Sequence, residues 1–519
     1  MSNPSHAHNP RGPLPQTAEE YLESLRDGRE IWLYGERVGD VTTHPAFRNS
    51  ARSMARLYRA FHESETAGRM LRPTDTGSGG MTHPFFRVAR SRADLRDAVD
   101  AMQCWQDLVF GWMGRTPDYK AALLTTLGQM PEWFGEYEAN ARHWYQHAQE
   151  HVDFFAHAIA NPPVDRGQAV EASRDVFVHV ERETDNGLIV SGAKVVATGS
   201  PIAQYVLVGH TKAEVKDKAF GLMFITPVAA PGVRLLARAS YEEVAARMST
   251  PFDYPLSSRF DENDAILIFD EALVPWENVL IYDEERISAF IRDSRWTGRG
   301  ILQANVRLST KLGFLAGLVR QAIGVVGSTE ERHAQVVLGE LLMNAQLLNG
   351  LRAGMIEQAI PGPGGSLEPN PTYASVSAAI GPRLQTRSRE LAERIIASGL
   401  IYLNSAATDF GVPQLRPTLD RYLRGSNGRT AEDRSRIMKL LWDATGSEFG
   451  GRHDLYEQNY LAQEDTHFMT LNRTAGVDGT YARLEGLVET AMADYNLGGW
   501  TAPDLVGASD VSDILGRRT

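Results

Sequence analysis

Apolar positions change their spacing twice along the chain. After Ser91, residues Leu95, Val99, Met102, Val109 and Trp112 recur at intervals that put them on one side of a helix, and the pattern carries that helix to Gly114. The stretch YEANARHWYQHAQEHVDFFAHAIA, residues 137–160, reads as another helix. Further upstream, TAEEYLESL begins with Thr17 and Glu20 in the spacing of a capping box. A Gly-rich loop, DTGSGGMTHP (75–84), interrupts this otherwise helical block. Beyond Pro162 the period becomes two. Val176, Val178 and Val180 alternate with other residues, and Asp185-Asn186-Gly187 marks a tight hairpin. YVLVGHT, AFGLMFITPV and AILIFDEALVP supply more short strands. From about residue 290 the helical period returns in NVRLSTKLGFLAGLVRQAIGVV and QVVLGELLMNAQLLNGLRAGMIEQAI. PGPGGSLEPNP (361–371) breaks the run, and helices then resume.

The order is helical, β, helical. It predicts an α+β fold with an N-terminal helical domain over 1–155, a middle β-barrel domain over 156–285 and a C-terminal helical bundle over 286–519. The strands do not alternate with helices, so a doubly wound parallel sheet is not expected.

Composition narrows the class of protein. The chain has 519 residues, 43% of them hydrophobic and 23% charged, with a net charge of −12; this suits a soluble globular protein and argues against a nucleic-acid partner. Cys104 is the only cysteine, which excludes an internal disulfide and a Cys-ligated cluster within one chain and fits a cytoplasmic setting. No apolar run reaches the roughly 18 residues of a membrane span. The N-terminal MSNPSHAHNPRGPLPQ lacks the apolar centre of a signal peptide.

Candidate chemistry is sparse. No G-x-G-x-x-G follows a strand, and there is no P-loop and no G-x-S-x-G elbow. His143, His147 and His151 share one helix face, which a chelate or a solvated surface explains; no metal site is expected. His157, in FFAHAIANPPVDR, reads as a core histidine or a catalytic one. In GRTPDYK, Arg115 and Tyr119 lie four apart, and Pro117 reads as a helix end. VVATGSP (195–201) ends a strand with the hydroxyls of Thr198 and Ser200. GSEFGGRHDLYEQNY (446–460) combines small residues, Arg452 and aromatics, and suits a phosphate, a ribose or a tight helix connection.

Taken in order, YLESLRDGREIWLYGERVGDVTTHPAF, MGRTPDY, HAIANPPVDR, GAKVVATGS, FDEALVPWENVLIYD and FGGRHDLYEQNY resemble the 4-hydroxyphenylacetate 3-monooxygenase family, the oxygenase components of two-component aromatic hydroxylases. The resemblance implies an acyl-CoA-dehydrogenase-like fold and a homotetramer. It implies reduced FAD (FADH2, with FMNH2 as the variant) delivered by a separate flavin reductase, and O₂. It implies hydroxylation of a small phenolic substrate, free or carrier-tethered, to a catechol through a flavin C4a-hydroperoxide. Arg115, Tyr119 and His157 match the family's phenol site. Flavin contacts are implied at His157, Ala158 and Ile159, at Pro163, Val164, Asp165 and Arg166, at Thr198, and at Gly446, Ser447, Phe449 and Gly450. The loop that holds the substrate's acidic tail in phenylacetate hydroxylases reads HTKAEVKDKAF here, which nominates His210 and Thr211 for the tail. FGWM (110–113) and DFFA (153–156) are candidates for a dry wall. Competing readings are a halophenol or nitrophenol monooxygenase on the same fold, an acyl-CoA-dehydrogenase-type flavoenzyme, and a non-enzymatic scaffold.

Overall fold

The computed structural model describes residues 13–165, 167–210, 215–461 and 464–505. Residues up to Leu461 form one compact unit and those after it a second. Local signals are met where they were strong. Thr17 and Glu20 close a reciprocal capping box on the helix Ala18–Ser24, and Ser91 does the same with Asp94 for Arg92–Val109. That helix stops short of Gly114. Phe110 (φ 55°) and Gly111 (φ 73°) turn left-handed beneath Trp296–Val326, where a Cβ on Gly111 would meet the backbone of Arg307 and Lys311. Pro117 does not end a helix but opens Pro117–Gln129, since its fixed φ and missing N–H suit the first turn.

The 137–160 segment divides. Glu138–His151 is helical, Val152 adopts φ 53°, and Phe155–Ala158 becomes a strand. The strand wins because its four residues are all buried and pair in parallel with Tyr205–Val208, where Phe155 stacks on Tyr205 at 5.2 Å.

The strands of the two main sheets are β1 Glu30–Leu33, β2 Glu36–Val38, β3 Phe155–Ala158, β4 His179–Thr184, β5 Gly187–Lys194, β6 Tyr205–Val208, β7 Leu222–Pro227, β8 Val233–Ala237, β9 Ala265–Pro275 and β10 Val279–Tyr282. One sheet runs β2-β1-β8-β9-β5-β4 and the other β10-β7-β6-β3. Two strands from the helical N-terminal block thus join the central sheet, β1 lying parallel to β8 with Ile31 opposite Leu235. The middle block is two sheets and not the expected closed barrel. Among the described residues, the isolated bridge Ala160–Val195 links the chain just after edge strand β3 to the end of β5. The Asn186-Gly187 turn joins β4 to β5 as the sequence predicts.

C-terminal to β10, the helices Trp296–Val326, Arg332–Glu357 and Pro371–Ile396 pack on one another. Trp296–Val326 also packs against Arg92–Val109 and Pro117–Gln129, so it is the shared spine of both helical blocks. The architecture is the expected α+β arrangement of helices, two central sheets and a C-terminal helical bundle. In the second unit, Glu464–Val477 packs on Thr480–Ala493, followed by a two-stranded ladder at Tyr495–Asn496 and Gly499–Trp500. No helix among the described residues is long and apolar enough to cross a membrane.

Gly187 has φ 145°, and a Cβ there would collide with the Val274 carbonyl of β9. Gly187→Ala is therefore expected to destabilise the protein by about 2–4 kcal/mol, read as a lower urea midpoint with an unchanged slope.

Candidate active site

The turn at 114–118 is held from three sides. The backbone N–H groups of Gly114 and Arg115 both donate to the Glu262 carboxylate, the first at 2.8 Å. Gln106 and Gln303 donate to the Thr116 hydroxyl at 3.0 and 3.2 Å, and that hydroxyl donates to Asp118 at 2.5 Å. Burial pushes the Asp118 carboxyl up to about 7, against the lowering effect of Thr116 and Gln303. With its backbone pinned, the Arg115 side chain turns inward and is only 7% exposed.

Three phenols surround that guanidinium. Its central carbon lies 4.3 Å from the Tyr119 ring centroid, 4.5 Å from Tyr460 and 5.2 Å from Tyr456, and Nη1 donates to the Tyr456 hydroxyl at 2.6 Å. Tyr456 and Tyr460 come from Glu448–Asn459 and the residue that caps it, four positions apart on one face. His157 enters from β3, its ring 5.6 Å from that of Tyr119. Burial, and then the charges of Lys120 and Arg115, hold its pKa well below the usual histidine value, so the imidazole is neutral. Lys120 is itself buried, with Nζ 4.0 Å from the Tyr119 centroid, and burial and Arg115 depress its pKa strongly.

Arg115 and His157 border a cavity of about 460 Å³. Ile159, Ala160, Val195, Val196 and Leu455 give it apolar walls, and Thr198, Asp264 and Arg452 give it a polar edge. The size is that of a small-molecule site. Its lining residues leave three buried nitrogens without a hydrogen-bond partner among the described residues: Arg115 Nε, His157 Nδ1 and Arg452 Nη1. Apolar walls with unpaired donors and acceptors at the rim fit a flat, polar-edged ring such as an isoalloxazine.

The structure brings Arg115, His157, Ile159 and Thr198 together around this space; Tyr119 packs against Arg115 and His157 but is not among the lining residues. Other expected residues lie apart from it. Ala158 points to the opposite side of β3 and is fully buried. Pro163, Val164 and Asp165 are exposed on the loop after the strand. Ser447 and Phe449 line a second cavity of about 340 Å³ with Tyr241, Tyr254 and Trp442; Gly446 and Gly450 flank them, and Ser447 caps Glu448–Asn459 by accepting from the Gly450 N–H. His210 lies beside Lys194 and Asn161 in a pocket of about 10 Å³. Arg166 and Thr211 fall outside the described residues. His147 pairs with Asp153 at 2.7 Å, and no cluster of metal-capable side chains forms among the described residues.

Sequence reasoning passed over Glu262, Asp264, Lys120, Tyr456 and Tyr460. The last two carried a readable signal, because Arg452, Tyr456 and Tyr460 recur every four residues. The acidic pair in FDENDAIL carried none.

Fold and site together define an α+β protein with a cationic, phenol-lined pocket. The model of the 4-hydroxyphenylacetate 3-hydroxylase N-terminal region matches residues 17–281, and that of the C-terminal region matches residues 287–489. The chain is 49% identical to 4-nitrophenol 2-monooxygenase, oxygenase component, from a Rhodococcus species, over 98% of each chain. It is 47% identical to the 4-hydroxyphenylacetate 3-monooxygenase oxygenase component of Escherichia coli, over 96% of each. A crystal structure of a 4-hydroxyphenylacetate 3-monooxygenase oxygenase component complexed with FAD and 4-hydroxyphenylacetate superposes with a TM-score of 0.84 at 28% identity, covering 92% of this chain and 99% of that one. The chain belongs to the 4-hydroxyphenylacetate 3-hydroxylase family of monooxygenase oxygenase components.

A neutral, buried His157 makes stability depend on pH. The unfolded chain takes up a proton below about pH 6.5 and the folded site does not, so His157 removes roughly 1.4 kcal/mol of stability per pH unit below that value. His157→Gln is expected to flatten the acid side of the stability profile by that amount relative to the parent, measured by urea unfolding between pH 7.5 and 5.5.

Proposed function

We propose that this chain is the oxygenase component of an FADH2-dependent phenol ortho-hydroxylase that converts a para-substituted phenol to a catechol. One observation carries the reading: Arg115 and His157, distant in sequence, converge on one apolar cavity edged by Thr198, and Tyr119 packs against both of them. The relatives' names agree on the chemistry, since position 2 of 4-nitrophenol and position 3 of 4-hydroxyphenylacetate both lie next to the phenol oxygen.

The phenol hydroxyl sits between His157 and Arg115. Neutral His157 accepts its proton, and Arg115, fixed by Glu262, holds the resulting oxyanion. Tyr119 orients the same oxygen by a hydrogen bond. Phenolate formation raises electron density at the ortho carbon, which is what an electrophilic oxygen donor requires. Reduced FAD, when bound along Ile159 and Thr198, supplies the electrons that activate O₂. Ile159, Val195, Val196 and Leu455 keep water from the reacting atoms.

A component named as the oxygenase half of a system works with a separate reductase, and the absence of a G-x-G-x-x-G motif supports that division. Self-association into a homotetramer is supported by apolar side chains exposed on Arg332–Glu357, among them Val336, Leu342, Met343 and Leu347. The single cysteine supports a cytoplasmic setting.

With reduced FAD, O₂ and either 4-nitrophenol or 4-hydroxyphenylacetate, the parent is expected to form the catechol. His157→Ala and Arg115→Ala should lower that yield by about 10²–10³, while flavin reoxidation continues and hydrogen peroxide is released. Full catechol yield from both variants overturns the assignment.

A further inference from the structure

The Thr198 hydroxyl has no proton left to offer the cavity it lines. It donates to Asp264 Oδ1 at 2.6 Å, and the Thr198 backbone N–H is used by the Val196 carbonyl at 2.8 Å. Asp264 cannot give the proton back. Arg452 donates to both of its oxygens, at 2.6 and 3.0 Å, and Arg238 adds a third bond at 3.0 Å. Burial raises the Asp264 carboxyl, but Arg452 and Arg238 outweigh burial and hold it below the usual carboxylate range. The aspartate is therefore an acceptor at any working pH. A hydroxyl has one proton and two lone pairs, so only Thr198 lone pairs remain for a ligand.

A flavin reads that difference. On two-electron reduction, N5 changes from an acceptor into an N–H donor, whereas N3–H is a donor in both states. We propose that Asp264 is a positioning residue that makes Thr198 an acceptor-only group toward N5, so that the site favours reduced over oxidised FAD. An oxidised ring would set two lone pairs against each other, and an unmet buried acceptor is costly. The consequence is chemical economy: the oxygenase takes up reduced flavin from its supplier and releases the oxidised form. This deepens the function proposed above and rests on flavin occupying the Thr198 cavity.

The test compares binding of oxidised FAD, by fluorescence, with binding of reduced FAD, by anaerobic titration, in the parent and in Asp264→Asn, Thr198→Val and the double variant. In Asp264→Asn the side-chain oxygen keeps Arg238 and one nitrogen of Arg452, the second Arg452 bond is lost, and the amide turns toward Thr198. The amide then donates to the hydroxyl and frees its proton. The preference for reduced FAD is expected to shrink about tenfold, which lowers the midpoint potential of bound flavin by about 30 mV. Thr198→Val should shrink it similarly, and Asp264→Asn should add nothing in the Thr198→Val background. An unchanged preference in Asp264→Asn, or an equal effect with and without the Thr198 hydroxyl, overturns the inference. If Asp264→Asn does not fold, Thr198→Val decides, because it leaves the arginine pairs intact; an unchanged preference there overturns the inference as well. A parent that binds no reduced FAD overturns the proposed function itself.

Discussion

One carboxylate, Glu262, fastens the turn that carries Arg115 to the loop entering β9. By accepting from two successive backbone N–H groups, it joins the N-terminal helices to the central sheet where the pocket forms. Without that tie, a guanidinium this long would extend into water. With it, Arg115 is confined among Tyr119, Tyr456 and Tyr460, and the cost of burying its charge is offset by ring quadrupoles and by nearby Glu262. His157, the apolar walls and the Thr198 edge are then arranged around a cation whose place is already set.

The site's electrostatics follow from burial. Three groups able to carry positive charge, Arg115, Lys120 and His157, lie within interaction range. Charging all three in a low-dielectric interior is costly, so burial and the Arg115 charge push the Lys120 and His157 pKa values down while the arginine keeps its proton. The pocket holds a permanent cation next to a neutral imidazole. In the proposed function, this pair is the acceptor for a phenol's proton and the counter-charge for its oxygen. Behind this layer Glu457, on the helix that bears Tyr456, accepts from both Arg307 and Lys311 of Trp296–Val326, so the aromatic wall is anchored by a fully buried ionic cluster.

The helix Glu448–Asn459 links two spaces. Its first turn borders the cavity with Tyr241, Tyr254 and Trp442, and its last turns border the Arg115 cavity. Eight residues of helix separate Glu448 from Tyr456, roughly 12 Å along the axis.

Amino-acid order alone determined what is local. Thr17 with Glu20, Ser91 with Asp94, and Asn186 before Gly187 make their hydrogen bonds within a few residues, so caps and hairpin were legible without any fold. The three-block order was legible for the same reason, since each helix or strand displays its own period. The family motif pointed to Arg115, Tyr119 and His157, but their meeting was not written in any local pattern. Tertiary structure decided that β1 pairs with β8, that the FFAHA segment leaves its helix for a strand, and that Pro117 opens a helix. It also decided that Asp264 meets Thr198, 66 positions away, and that Glu262 meets Arg115, 147 away. Such contacts depend on closing long loops around a common core. Their chemistry is spread over residues that look ordinary until the chain is folded.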